Sequence, residues 1–226
     1  MGENSQALPA DEFRSRTFVV VPAFNEASSV GRVVRELTLV WPRVVVVDDG
    51  SSDGTANEAR RAGATCLRHV INRGQGAALQ TGITHSLRAG ADCIVTFDAD
   101  GQHEVCEIPQ LVEPVLRGDC DVALGSRFLG STEYLPRGRW IILKAGVLFS
   151  RLMSGLPVTD THNGFRAFSR RAASAVSIQR DGMAHASEIL DQIARLGFRY
   201  VEVPVRVRYT RYSRSKAKGP LHAIKV

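Results

Sequence analysis

The sequence predicts an α/β fold with a mainly parallel sheet, on three observations. Short apolar, β-branched runs alternate with longer segments of helical periodicity along the 226 residues, the rhythm of strands joined by right-handed helical crossovers. One run, Val44-Val45-Val46-Val47, is apolar on both faces, as a central strand between two helical layers must be. Three of these runs end in clusters of loop and acidic residues, Pro22-Ala23-Phe24-Asn25-Glu26, Asp48-Asp49-Gly50-Ser51 and Asp98-Ala99-Asp100. In an open parallel sheet such strand ends share one edge, where ligands bind.

Residues 17–21 read as a buried strand closed by Pro22. Residues 27–40 read as a helix, with Val30, Val33, Val34 and Leu37 on one face and Pro42 beyond its end. After the valine strand, Ser52 or Asp53 can cap a helix over 54–64. A short strand at 65–68 follows, then Asn72-Arg73-Gly74-Gln75-Gly76 opens a helix to about 89. A strand at 93–97, a helix at 108–117 and a strand at 121–124 complete the regular alternation. Beyond Gly125 the rhythm changes until a helix at 185–196 and a strand at 200–207. The expected organisation is an extension at 1–16 and one domain at 17–226, whose two halves meet at residue 125.

Composition fits one large globular domain, 44% hydrophobic and 23% charged. Cys66, Cys93, Cys106 and Cys120 have no Cys-x-x-Cys spacing, which favours reduced thiols over zinc or disulfides. No signal-peptide pattern is visible at the N-terminus. The most apolar long stretch, 140–153, is broken by Lys144, Ser150 and Arg151 and is too short to span a bilayer. The chain is therefore expected to be soluble or peripheral. Net charge is +6, yet residues 195–226 hold nine Lys/Arg and one acid, Glu202. Such a tail suits phosphate or a membrane surface, a solvated face, or nucleic acid. No nucleic-acid signature accompanies it.

Asp98 and Asp100 carry the most information. Close carboxylates repel unless a cation compensates, and Mg²⁺ usually takes one or two carboxylates plus substrate phosphates. His103 reads as a loop histidine beside the site. The segment at Asn72 could lay a helix N-terminus toward phosphate, or pack its glycines tightly on the sheet. It is no dinucleotide fingerprint, since Leu79 occupies the third glycine position, which disfavours a dehydrogenase. Gly125-Ser126-Arg127-Phe128 and Asp160-Thr161-His162-Asn163-Gly164-Phe165-Arg166 are further candidates. Glu188 reads as a helix-start acid.

Together these motifs resemble the family 2 glycosyltransferases of GT-A fold, a Rossmann-like three-layer α/β/α sandwich. The likeness spans residues 18–217 and is strongest to dolichol-phosphate and polyprenyl-phosphate sugar transferases, which implies a nucleotide-binding half at 17–125 and an acceptor-binding half at 126–226. It implies an inverting, metal-dependent enzyme that moves a hexose from a GDP- or UDP-linked sugar to a polyprenyl phosphate. Pro22, Ala23, Phe24 and Glu26 would then border the nucleotide, with Asp49 at the base or ribose and Asp48 supporting the loop. Gly76 would approach the phosphates. Asp98-Ala99-Asp100 would meet ribose and metal, with Gln102 as a further oxygen ligand to Mg²⁺ or Mn²⁺.

Asp160 is implied as a base or an acceptor-orienting carboxylate, and Arg127, Arg137, Arg139 and Arg166 as cations for the acceptor phosphate. Arg214 and Lys216 belong to a basic loop expected to close over the donor diphosphate. The implied setting is the cytoplasmic membrane face, with peripheral attachment or a membrane partner protein and no nucleic acid. Two departures from the family pattern stand out: Gln75 where many relatives carry Lys, and Cys106 in place of a usual Pro. Two rivals remain open, transfer to a saccharide or protein hydroxyl and a non-catalytic nucleotide-sugar-binding role.

Overall fold

The computed structural model describes residues 10–133, 156–182 and 184–208. In chain order these form α1 (Ala10–Ser15), β1 (Thr17–Ala23), α2 (Val30–Thr38), β2 (Val44–Asp48), α3 (Thr55–Arg61) and β3 (Thr65–Arg68). There follow α4 (Gln75–Arg88), β4 (Cys93–Thr96), a 3₁₀ turn (Val105–Glu107), α5 (Ile108–Leu116) and β5 (Val122–Glu133). The last elements are β6 (Arg166–Ser169), α6 (Arg170–Ala175), α7 (His185–Arg195) and β7 (Tyr200–Arg208).

The seven strands form one sheet in the order β3-β2-β1-β4-β6-β5-β7. β1, β2, β3 and β4 pair in parallel, as do β5 and β7, while β6 runs antiparallel to both its neighbours. Because side chains alternate across a strand, β1 sends Val19 and Val21 to one helical layer with α2 and α5, and Phe18 and Val20 to the other with α4, α6 and α7. β2 splits the same way, Val44 and Val46 against Val45 and Val47. The result is the expected three-layer α/β/α sandwich. On the second face Gly82 lets α4 lie close, since a Cβ there would come within 2.3 Å of a Val20 methyl.

Several features depart from the sequence reading, among them the unexpected helix α6. The strand expected at 121–124 continues to Glu133. Its pairing with β7 shifts register between Ser126 and Ser131, a bulge that throws residues 127–130 out of the ladder. β6 was not legible, because four residues with Arg166 at their start show no apolar alternation. α1 lies within the stretch read as an extension, and Phe13 packs against the core, with Thr17 Oγ1 donating to its carbonyl at 2.9 Å. Asp53, one of the two residues expected to cap α3, accepts from the Thr55 amide at 3.0 Å, one residue before the boundary position Gly54.

Candidate active site

β1, β2 and β4 stop at the same edge because they are parallel and in register, with Ala23 beside Asp48 and Val20 beside Thr96. β6 runs the other way and begins where they end, Arg166 beside Thr96. The 160–165 loop is thereby delivered to the same edge. A cavity of about 430 Å³ opens there.

One wall comes from the loop after β1: Pro22, Ala23, Phe24 and Glu26 all line the cavity, with Phe24 44% exposed at its mouth. That loop is tied to the one after β2. The Asn25 amide donates to Ser51 Oγ at 2.9 Å, the Ser52 amide donates to Asn25 Oδ1 at 3.0 Å, and Asn25 sits at φ 53°. Glu26 is buried, and its Oε2 accepts from Ser29 Oγ at 2.7 Å.

Asp49 also lines the cavity, and it organises the neighbouring segment. Its carboxylate accepts from the amides of Arg73 (2.9 Å) and Gly74 (2.7 Å) and from His69 Nδ1 (2.7 Å). Asp48 supports the loop as expected, accepting from the Ser51 amide at 3.1 Å and pairing with Arg68 at 3.2 Å. Gly74 and Gln75 reach the cavity, whereas Gly76 packs away from it, its amide donating to the Asp181 carbonyl at 2.9 Å.

Asp98, Ala99, Asp100, Gln102 and His103 form the floor. Asp98 takes Gln75 Nε2 and His103 Nε2, each at 3.3 Å. Gly164 has no side chain because this carboxylate lies against it: a Cβ there would come within 2.9 Å of either oxygen. Burial pushes the Asp98 carboxyl up, but the hydrogen bond with His103 and the charges of His103, His185 and Arg127 outweigh it and hold the group below the usual range. Asp100 goes the other way. Burial, then the neighbouring negative charge of Asp98, pushes it up to about 6.

Asp100 accepts from the Gln102 amide at 3.0 Å and from Gln102 Nε2 at 2.5 Å, leaving the Gln102 side-chain oxygen as an acceptor. Two carboxylates and an amide oxygen, with one acid destabilised in its charged form by the other, make a donor set that suits a hard divalent cation. No cluster of three His, Cys, Asp or Glu suited to a metal occurs among the described residues. The remaining ligands would have to come from a substrate. His103 sits edge-on to the Phe97 ring with its centroid 5.0 Å from that of Phe165, and its Nδ1 is buried without a hydrogen-bond partner.

On the opposite side the β5 bulge brings Arg127 to the cavity. Its backbone amide and Nε both donate to Asp160 Oδ2, at 3.1 and 2.6 Å. Both side chains are buried, 8% and 1% exposed. Glu202 on β7 supports this arrangement. It accepts from the amide and hydroxyl of Thr159, each at 2.7 Å, and Thr159 meets Ser126 at 2.6 Å.

Arg166 lies deeper, in a smaller recess, with Nε donating to the Asn163 carbonyl at 3.0 Å and Nη2 to those of Thr161 (3.0 Å) and Ala186 (3.4 Å). Burial pulls its pKa down to about 10. Burial also lowers His162 and His185. Glu188 caps a loop by accepting from the amides of Gln179 and Arg180. Arg137, Arg139, Arg214 and Lys216 lie outside the described residues.

The sequence reading missed Asn25 as a loop clamp, Gly164 as the seat of Asp98, Glu202 as the support of Thr159, and His185. Only Gly164 and Asn25 left a signal, each inside a motif already singled out. Glu202 and His185 reach the site through strand pairing and helix packing, which one sequence does not display.

Residues 18–176 match the family model described as "Glycosyl transferase family 2". The chain is 35% identical over 216 residues to an undecaprenyl-phosphate mannosyltransferase of Micrococcus luteus, covering 90% of this chain and 88% of that one. It is 29% identical over 233 residues to a UDP-N-acetylglucosamine–dolichyl-phosphate N-acetylglucosaminyltransferase of Methanococcus voltae, covering 92% of each. In fold it is similar to glucosyl-3-phosphoglycerate synthase of Mycobacterium tuberculosis, crystallised with Mn²⁺, UDP and glucosyl-3-phosphoglycerate. That match has a TM-score of 0.73 and 24% identity, and covers 99% of this chain and 81% of that one. The fold is therefore GT-A, and the chain belongs to glycosyl transferase family 2 and is a glycosyltransferase.

Proposed function

We propose that this glycosyltransferase moves a hexose from a GDP- or UDP-linked sugar to a polyprenyl phosphate, with inversion at the anomeric carbon. One observation carries the reading. The two carboxylates of Asp98 and Asp100 stand in the same cavity as the Pro22–Glu26 wall and Asp49, and Arg127 faces them from the other half. Phe24 and the backbone of Ala23 would border the base, with Asp49 holding the 69–74 segment beside the ribose.

Asp98, Asp100 and Gln102 would hold Mg²⁺ or Mn²⁺, whose charge stabilises the departing diphosphate. The acceptor is chosen on charge. A lipid monophosphate is already an ionised nucleophile at pH 7 and needs cationic positioning rather than a base, and the Arg127 guanidinium is suited to phosphate. Asp160 is tied to Arg127 through Oδ2 and its side chain is 1% exposed, so it orients the arginine rather than collecting a proton from a hydroxyl.

The relatives named for undecaprenyl-phosphate and dolichyl-phosphate acceptors support the same acceptor class. Among the described residues no helix is long and apolar enough to cross a membrane. The working location is the inner membrane face, reached peripherally or through a membrane partner protein.

The test is transfer of radiolabelled sugar from nucleotide donors. Label should enter the organic phase only when polyprenyl phosphate and Mg²⁺ or Mn²⁺ are both supplied. Label that stays aqueous with polyprenyl phosphate, yet moves to a saccharide or protein, would replace this reading with the hydroxyl-acceptor one.

A further inference from the structure

We infer that His69 is a positioning residue for nucleotide binding: anchored on Thr81 of α4, it fixes the Asp49 carboxylate so that Oδ2 is left to receive the nucleoside. The inference rests on the nucleotide-sugar reading above. Three side chains run in a line from the helix to the cavity. Thr81 Oγ1 lies 2.9 Å from His69 Nε2, and His69 Nδ1 lies 2.7 Å from Asp49 Oδ1. The His69 side chain is 10% exposed and that of Asp49 3%. An ionised carboxylate only accepts, so Nδ1 carries the proton. In the neutral ring Nε2 is then the acceptor, and the Thr81 hydroxyl donates to it.

The donors around Asp49 show which oxygen stays open. A carboxylate offers about four lone-pair sites. Oδ1 takes the Arg73 amide and His69 Nδ1, whereas Oδ2 takes the Gly74 amide alone. The unfilled site is therefore on Oδ2, where a hydroxyl or N–H of a nucleoside can donate. Asp49 lines the large cavity, but His69 and Thr81 line neither it nor the recess at Arg166. The order carboxylate, imidazole, hydroxyl is that of a hydrolytic triad, yet this hydroxyl has no cavity beside it in which a substrate could sit. The line is a support for Asp49 rather than a reaction centre.

His69 supplies what the two amides do not. Arg73 and Gly74 belong to the loop that Asp49 itself holds, and that loop leaves Val70 99% and Ile71 68% exposed. His69 and Thr81 tie the carboxylate instead to the middle of α4, whose Leu79 and Ile83 are in the core. The same helix begins with Gln75, which donates to Asp98 at 3.3 Å. One rigid element thus sets Asp49, on the nucleoside side, and Asp98, on the metal side. An acceptor fixed before the ligand arrives spares the cost of ordering it on binding.

The experiment compares wild type with His69→Ala, His69→Asn and His69→Gln. Asparagine can place an amide N–H where Nδ1 stands, and glutamine can place one where Nε2 stands. Calorimetry with Mn²⁺ measures UDP and GDP, and competition measures inorganic pyrophosphate, which has no nucleoside. His69→Ala should weaken nucleoside-diphosphate binding about tenfold, corresponding to about 1.4 kcal/mol. His69→Asn should recover most of that loss and His69→Gln little of it, with pyrophosphate affinity equal in every folded variant. Where His69→Ala does not fold, Thr81→Val takes its place, with an expected weakening of about threefold from one lost neutral hydrogen bond. Unchanged nucleoside-diphosphate affinity would overturn the role of His69 while sparing the wider reading. So would pyrophosphate affinity that fell in step, or recovery by His69→Gln and not by His69→Asn. Failure of wild type to bind either UDP or GDP would overturn the wider reading, and the role of His69 with it.

Discussion

Residues 17–125 bring Pro22, Asp49 and Asp100 to one edge through strand direction alone, whereas residues 126–208 deliver Arg127 and Arg166 through a bulge and an antiparallel strand. The first arrangement rests on fewer ionic contacts between buried groups: Asp48 pairs with the exposed Arg68, and Asp49 and Asp98 meet His69 and His103. Apolar strands fix the sheet, and the loop carboxylates are satisfied by nearby amides, as with Asp49 and the Arg73 and Gly74 amides. The second depends on ions taken out of water, Arg127 with Asp160 and Arg166 with its three carbonyls. The halves should therefore fail in different ways, one to changes of volume and the other to changes of charge.

The largest effect should come from breaking the buried pair. Arg127→Ala removes the guanidinium paired with the buried Asp160 carboxylate and should cost about 3 kcal/mol of stability, measured by urea unfolding. Asp160→Asn added to it should recover part of that loss. A double variant no more stable than the single would show that the pair is not the source. By contrast, Gly82→Ala in the first half should cost about 1–3 kcal/mol by overpacking against Val20, with no dependence on pH.

The smallest effect concerns Asp121 at the start of β5, which accepts from Arg171 Nη2 at 2.8 Å and from the Arg199 amide at 3.0 Å. The Arg171 hydrogen bond, helped by Arg199 and opposed by burial, holds its carboxyl below the usual range. A lowered folded pKa gives stability that is fully present above the unfolded value, near 4, and is lost as pH falls through the folded one. The stability gap between wild type and Asp121→Asn should thus be widest above pH 5 and shrink at lower pH. A gap that grew on acidification would contradict this.

This asymmetry also explains what one sequence could reveal. Val44 to Val47 display their burial in their composition, and a carboxylate cluster after such a run is bound to sit at a strand end. The strand-end positions of Asp49, Asp98 and Asp100 were legible for that reason, whereas Gln102 was named only through the family resemblance. Arg166 could be singled out within its motif, but not its burial, because β6 is four residues long and owes its place to pairing with β4 and β5. The bulge that turns Arg127 inward arises from mismatched register with β7. Neither strand carries that mismatch in its own periodicity. Gly76 illustrates the converse: a glycine inside a phosphate-like motif turned out to serve the contact with the segment at Asp181.

On the proposed reading, Asp98 and Asp100 hold a divalent ion together with a nucleoside diphosphate. Titration calorimetry of GDP and UDP into wild type and Asp100→Ala, with Mn²⁺ and then with chelator, tests it most directly. Binding should require the ion and weaken by about tenfold or more in Asp100→Ala, as loss of a metal-site group does, with the unfolding temperature of the ligand-free protein preserved. Binding of equal strength in chelator, or in Asp100→Ala, would contradict it.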